Sequence, residues 1–312
     1  MSILDREILR TPYALIDVET TGLSPRDDRI VEIAVAVVKP GEAPELVLDT
    51  LVNPGRPMSS TDVHGITDAD VLDAPSFSEI ATHVAAAISN RVVAAHNASF
   101  DVSMLGAELE RCGFMPEVPC VCTMLLARVV DPSTPRLTLE SACQRAGVPL
   151  SSAHTAKDDA LAAGLLLQRL LPALRAGGAR TFADLRARSL RAYAFFDSFE
   201  LHPLPPPPVI ATARALRPRS ATTSRRPRGP VAQYLEEVVD ALADLELSEA
   251  EVAALRARRE QITLTDARAV HARVFWAMLS RYVEDARIDE VEVCRLRRLR
   301  ELLETLGWAP GQ

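Results

Sequence analysis

Tyr13-Ala14-Leu15-Ile16-Asp17-Val18-Glu19-Thr20-Thr21-Gly22-Leu23 is an apolar run that ends in two carboxylates and a turn. The run Tyr13 to Val18 predicts a strand that stops at a Thr-Gly turn. In a strand, residues i and i+2 share a face, so Asp17 and Glu19 point the same way from a strand with buried flanks. Two carboxylates so placed cost free energy unless cations neutralise them. Hard oxygen donors call for Mg²⁺ or Mn²⁺ rather than zinc.

Three further stretches carry chemistry: His96-Asn97-Ala98-Ser99-Phe100-Asp101, His154-Thr155-Ala156-Lys157-Asp158-Asp159-Ala160, and the loop Val63-His64-Gly65-Ile66-Thr67. Between them the pattern predicts strands at Arg29–Val38, Glu45–Val52, Arg91–His96 and Val118–Cys122. It predicts helices at Phe77–Ser89, Phe100–Cys112, Thr123–Val130 and Thr138–Ala146. Thr155-Ala156-Lys157-Asp158 reads as a capping box, so a long helix starts near Ala156. Three antiparallel strands, then two strands alternating with helices, predict an α/β fold: a ribonuclease-H-like mixed five-stranded sheet flanked by helices.

The motifs resemble those of the DEDDh 3′→5′ exonucleases, the group that includes the proofreading epsilon subunit of bacterial DNA polymerase III. Asp-x-Glu-Thr-Thr-Gly-Leu and His-Asn-x-x-Phe-Asp both stand complete, and His154 precedes Asp159 by the family spacing. Three linked motifs are far more specific than one. The resemblance covers roughly the first three-fifths of the chain. It implies that Asp17, Glu19, Asp101 and Asp159 hold two Mg²⁺ (or Mn²⁺) ions about 3.5–4 Å apart. Asp158 is the rival of Asp159, but the capping box gives it a structural task. His154 is the expected general base, since a neutral imidazole can accept the proton of an attacking water. By the same resemblance Thr20, Thr21 and Gly22 hold the terminal nucleotide, and Leu23 wedges against a base. The plain alternative is a tight turn with Leu23 in the core. His64, Asn97 and Phe100 are expected on the substrate side, while His96 reads equally well as a buried, hydrogen-bonded residue.

The 312 residues are long enough for two domains. Residues 1–199 are read as the nuclease domain and 200–230 as a Pro- and Arg-rich linker. Residues 231–312 are read as an all-α bundle that resembles, less specifically, the TerB-like helical domains. In that bundle Asp244–Val252 matches Asp285–Val293, which predicts two capped helix starts. Its turns lack the glycine usual in TerB-like proteins. This part is expected to recruit a protein partner or bias substrate access rather than to catalyse. The linker arginines fit either a basic tether or a solvated spacer.

No apolar run approaches the length of a membrane span. The N-terminus lacks a basic segment followed by an apolar one, so a cytoplasmic address is expected. The five cysteines lack zinc-ribbon spacing, and Cys120 and Cys122 read as buried thiols. A net charge of −7 argues against a broad nucleic-acid-binding surface, though not against an enzyme that grips a few terminal nucleotides through metal ions. The expected activity is hydrolysis from 3′ ends of nucleic acid, foremost single-stranded DNA, in proofreading or repair. The alternatives are RNA trimming by an exoribonuclease, or a non-catalytic nucleic-acid-binding adaptor. The oligomeric state is left open.

Overall fold

The computed structural model describes residues 3–114, 118–133, 138–150, 155–189, 216, 218, 229–242, 245–282 and 290–309. Five strands form one mixed sheet: β1 (Tyr13–Thr20), β2 (Ile30–Val38), β3 (Glu45–Leu51), β4 (Val92–Ala95) and β5 (Cys120–Cys122). Their order is β3-β2-β1-β4-β5. β1 pairs antiparallel with β2 and parallel with β4, and β4 pairs parallel with β5. This is the ribonuclease-H-like arrangement.

β1 runs two residues past the predicted end, so Glu19 and Thr20 belong to the strand rather than to the turn. The register slips between Glu19 and Thr20, where Glu19 faces Glu32 but Thr20 faces Ile30. Val31 is the extra residue, and it packs with Leu51, Ile66 and Val71 in a small separate cluster.

The sheet is buried on both sides. All nine residues of β2 are buried, which a strand achieves only with a layer on each face. α3 (Phe77–Ile88) and α4 (Ala98–Arg111) pack together against the sheet, and α7 (Ala156–Ala176) packs against β1 and β2. Behind α7 stand α5 (Thr123–Val130) and α6 (Leu139–Ala146). α7 comes close because of Gly164, where a Cβ would lie 3.1 Å from Pro44 and 3.3 Å from Val38. Two single-turn helices, α1 (Thr61–His64) and α2 (Asp68–Val71), follow β3. α7 is followed by α8 (Phe182–Ser189).

The C-terminal part is helical, as expected: α9 (Pro230–Leu242), α10 (Glu249–Arg259), α11 (Leu264–Tyr282) and α12 (Glu290–Thr305). α9 starts on Pro230, the position where a missing N–H costs nothing. α10 and α12 start where the internal repeat predicts. Ser248 caps α10 through a reciprocal bond pair with Glu251, while the second copy's turn lies outside the described residues. These helices share a core of Tyr234, Val238, Leu255, Val270, Leu299 and Leu303, distinct from the sheet core. Inside it the Tyr234 hydroxyl meets His271 Nε2 at 2.7 Å. Burial, aided by Arg259, pushes the His271 imidazole down to about 4. Among the described residues no helix is long and apolar enough to cross a membrane.

One ion pair ties the sheet to the turn after β1. Glu108 on α4 is fully buried and accepts from Arg29 Nε and Nη2 at 2.7 and 2.9 Å, and from the Ile30 N–H at 3.2 Å. Breaking such a pair leaves the buried Glu108 with only the more distant Arg111 guanidinium, at 3.6 Å, as a cationic partner. Since Arg29 is partly exposed, Arg29→Ala should cost roughly 2–4 kcal/mol in urea unfolding. A loss under 0.5 kcal/mol would show that the pair does not hold the turn.

Both tryptophans, Trp276 and Trp308, lie in the helical part, so their fluorescence reports on it alone. Below pH ~6.5 an unfolded His271 takes up a proton before the folded one does. Stability of the helical part should therefore fall from that pH down to about 4. His271→Gln should remove most of this acid dependence of the tryptophan-detected midpoint.

Candidate active site

β1 and β4 run parallel only as far as Leu15 and Ala94. Beyond that point β4 turns into α4, and a crevice opens at the carboxyl ends of the two strands, the usual ligand position in such sheets. Asn97 makes the turn in a left-handed conformation, φ 66°, a backbone region Asn tolerates. Asp101 therefore falls in the first turn of α4. Its Oδ1 accepts the Val18 N–H at 3.1 Å, which fixes α4 against β1 between the two acids of that strand. Asp159 enters from the first turn of α7. Thr155 caps that helix: its Oγ1 accepts the Asp158 N–H at 3.2 Å and donates to the Asp158 carboxylate at 2.9 Å. Asp158 thus has the structural role the sequence assigns it.

Asp17, Glu19, Asp101 and Asp159 all line one cavity of about 180 Å³. Thr20, Gly22, Leu23, His64, His96, Asn97 and Phe100 line it too. Thr21 faces away into the turn. His154 lies outside the described residues. Burial first, then Asp159, Asp101, Glu19 and Glu32, holds the Asp17 carboxyl well above its usual range. Asp101 is likewise raised, by burial first and then by Glu19 and Asp159, against the opposing pull of the Val18 N–H. Four acids in one crevice, two of them resisting ionisation, form a donor set that fits hard divalent cations. No three or more described His, Cys, Asp or Glu side chains are arranged to hold an ion by themselves. Mg²⁺ binds through a few carboxylates and keeps water or substrate oxygens as its other ligands.

The turn after β1 is bonded throughout. Thr20 Oγ1 donates to the Gly22 carbonyl at 2.6 Å, and Thr21 Oγ1 donates to Asp28 at 2.9 Å. Asp28 also accepts the Ser24 N–H at 2.9 Å. A Cβ on Gly22 would stand 2.3–2.6 Å from this bonded carboxylate, so only glycine fits there. His64 is buried, and its Nδ1 accepts the Ile66 N–H at 3.1 Å. A neutral ring bonded that way carries its proton on Nε2. His96 Nδ1 meets Thr123 Oγ1 at 2.9 Å, and the half-buried ring also lines the cavity.

Sequence reasoning passes over two features. Glu32 lies directly across from Glu19, fully buried, and adds to the charge that raises Asp17. The signal was present: it is the lone acid in the apolar strand Ile30–Val38. The second feature is a wall contributed by the helical part. Leu235, Glu236, Val239 and Asp240 of α9 and Arg273 of α11 line the same cavity.

Residues 15–167 match the family described as "Exonuclease". A "DNA polymerase III subunit epsilon-like protein" of Rhodobacter capsulatus is 40% identical over 176 residues, which are 54% of this chain and 25% of that protein. A "DNA polymerase III PolC-type" of Oceanobacillus iheyensis is 35% identical over 173 residues, covering 54% of this chain and 12% of that protein. The chain thus spans a quarter or less of the length of these relatives. Among solved structures, "Exonuclease X in complex with 5' overhanging duplex DNA" aligns with 57% of this chain and 99% of that one, at 27% identity and a TM-score of 0.43.

The raised carboxyls set a sign for stability. Below the unfolded carboxyl value, ~3.9, both states hold their protons. As pH rises, the unfolded chain ionises first, so the metal-free fold loses stability up to the raised folded values. Asp17→Asn should therefore raise the melting midpoint in EDTA at pH 7 by about 2–4 °C and show little difference at pH 4. Mg²⁺ should raise the wild-type midpoint more than the variant's. A variant that melts lower than wild type in EDTA would contradict the repulsion argument.

Proposed function

We propose that this protein is a metal-dependent 3′→5′ exonuclease acting on single-stranded DNA and releasing nucleoside 5′-monophosphates, a reading supported by the match of residues 15–167 to the exonuclease family. The observation that carries the reading is the convergence of Asp17, Glu19, Asp101 and Asp159 on one cavity, with Asp17 and Asp101 resisting ionisation. The DNA polymerase names of the relatives support DNA over RNA.

Asp17, Glu19, Asp101 and Asp159 would hold two Mg²⁺ or Mn²⁺ ions. When bound, these lower the pKa of an attacking water and offset charge on the leaving oxygen. The remaining work falls to the chain. The bonded turn Thr20–Leu23 presents its backbone to the terminal nucleotide, and Leu23 and Phe100 give its base an apolar contact. His64 and Asn97 flank the same space, each with its backbone or ring fixed by local bonds. His154, just before the α7 cap, takes the water's proton. Residues 1–199 carry the chemistry, 200–230 link, and 231–312 add a helical module open to a protein partner.

With Mg²⁺, a 5′-labelled single strand should give a descending ladder and a 3′-labelled strand an immediate mononucleotide. A 3′-phosphate should slow both. Cleavage of circular single strands would overturn the exonuclease reading, and preference for an RNA oligomer would move the substrate to RNA. His154→Ala should lower kcat roughly 10²–10⁴-fold, the usual worth of a general base. Calorimetric Mn²⁺ binding should persist in that variant, because the imidazole is not a proposed ligand. An unchanged rate and pH profile would mean another base is at work.

A further inference from the structure

A phosphodiester substrate meets a strongly acidic cavity here. Among the described residues that line it, Arg273 is the one Lys or Arg. It comes from α11 of the helical part, not from the nuclease sheet. Arg273 Nη2 donates to Ser60 Oγ at 2.6 Å, and Ser60 Oγ donates to the Thr21 carbonyl at 2.9 Å. Ser60 is held for this in a left-handed conformation, φ 59°. One guanidinium N–H is used at Ser60, and a guanidinium has five. The bond therefore aims the group at the cavity without exhausting it.

The same roof extends over an apolar slot. A second cavity of about 80 Å³ shares Leu23, Asn97, Phe100 and Val239 with the first. Its far wall is Val274 and Leu299, from the helical core. Leu23, on the turn, packs against that core. A further tie holds the roof: Arg128 on α5 meets Glu251 on α10 at 2.9 Å, with Glu251 nearly buried. Glu236 and Asp240 line the roof beside Arg273 and repel phosphate, so attraction is confined to one point.

The geometry points to Arg273 as a substrate-binding residue supplied by the helical part: it holds one backbone phosphate, while Val239 and its neighbours cover the base of a single unpaired nucleotide. The inference rests on the exonuclease reading and goes further than it. On this reading the helices form part of the substrate site.

The test compares full-length wild type, Arg273→Ala, Arg273→Lys and Ser60→Ala. Steady-state cleavage of a 5′-labelled oligothymidylate is measured in Mg²⁺, with binding of the same strand in Ca²⁺ followed by fluorescence anisotropy. Arg273→Ala should raise KM and the dissociation constant 10- to 100-fold, the worth of one charge-assisted contact, and leave kcat within about threefold. Arg273→Lys should recover part of the loss. Ser60→Ala, which keeps the guanidinium but loses the bond that aims it, should show a clearly smaller loss than Arg273→Ala, and all four should share a melting midpoint. An equal loss in Ser60→Ala would mean that Arg273 acts only by bracing the turn, and overturns the inference. Unchanged binding in Arg273→Ala, or faster cleavage, also overturns it; faster cleavage would make the roof an obstruction. If wild type binds the strand and Arg273→Ala does not, but neither cleaves, the contact stands and the exonuclease reading falls.

Discussion

Mutual repulsion among acids at the carboxyl end of β1 is the constraint to which the rest of the structure answers. Asp17, Glu19, Asp101 and Asp159 face one cavity, and Glu32 stands behind them on β2. Left to relax, such a group would splay apart, because each ionisation makes the next harder. The fold denies that relaxation. β1 is the central strand, held on both edges. Asp101 is fastened to the Val18 N–H between the two β1 acids, and α7 is drawn onto the sheet through Gly164. Residual repulsion is therefore stored as suppressed ionisation rather than as displacement. A cation entering such a site would relieve it.

The turn after β1 shows how rigidity is extended to a segment with no regular structure. Its start is continuous with the strand. Its interior is bonded by Thr20 to Gly22 and by Asp28 to Thr21 and Ser24. Its end is clamped where Arg29 forks onto buried Glu108. A bidentate guanidinium pair fixes orientation as well as distance. The turn can then present backbone to a ligand without paying ordering entropy at the moment of binding.

Much of this was legible in the sequence because it is local. The Asp17-x-Glu19 spacing, β-branched Ile30–Val38 and the Thr155 cap each follow from period or capping rules, and all appear where those rules put them. The end of β1 was misplaced by two residues, because pairing with β2 carries the strand past a turn-forming composition. Glu32 escaped notice because one acid in an apolar run looks like noise until the register sets it opposite Glu19. Arg273 had no sequence signal at all. It lies 213 residues from Ser60, on a helix that reads only as amphipathic, and docking alone makes it a cleft residue.

The balance of charge gives the docked helices a meaning beyond packing. The chain is acidic overall, and its cleft more so. Under the proposed exonuclease reading a polyanion is not held there by a diffuse basic surface, and attraction would come from a few points: cations on the carboxylates and one guanidinium. Point attachment favours a chain end over an internal stretch, because internal binding gains only with many phosphates neutralised along the backbone. A roof with Arg273 at one place and acids elsewhere sharpens that choice. On the proposed reading, the same acidity that makes the cleft hostile to nucleic acid in general would leave a terminal, unpaired nucleotide as the piece that fits.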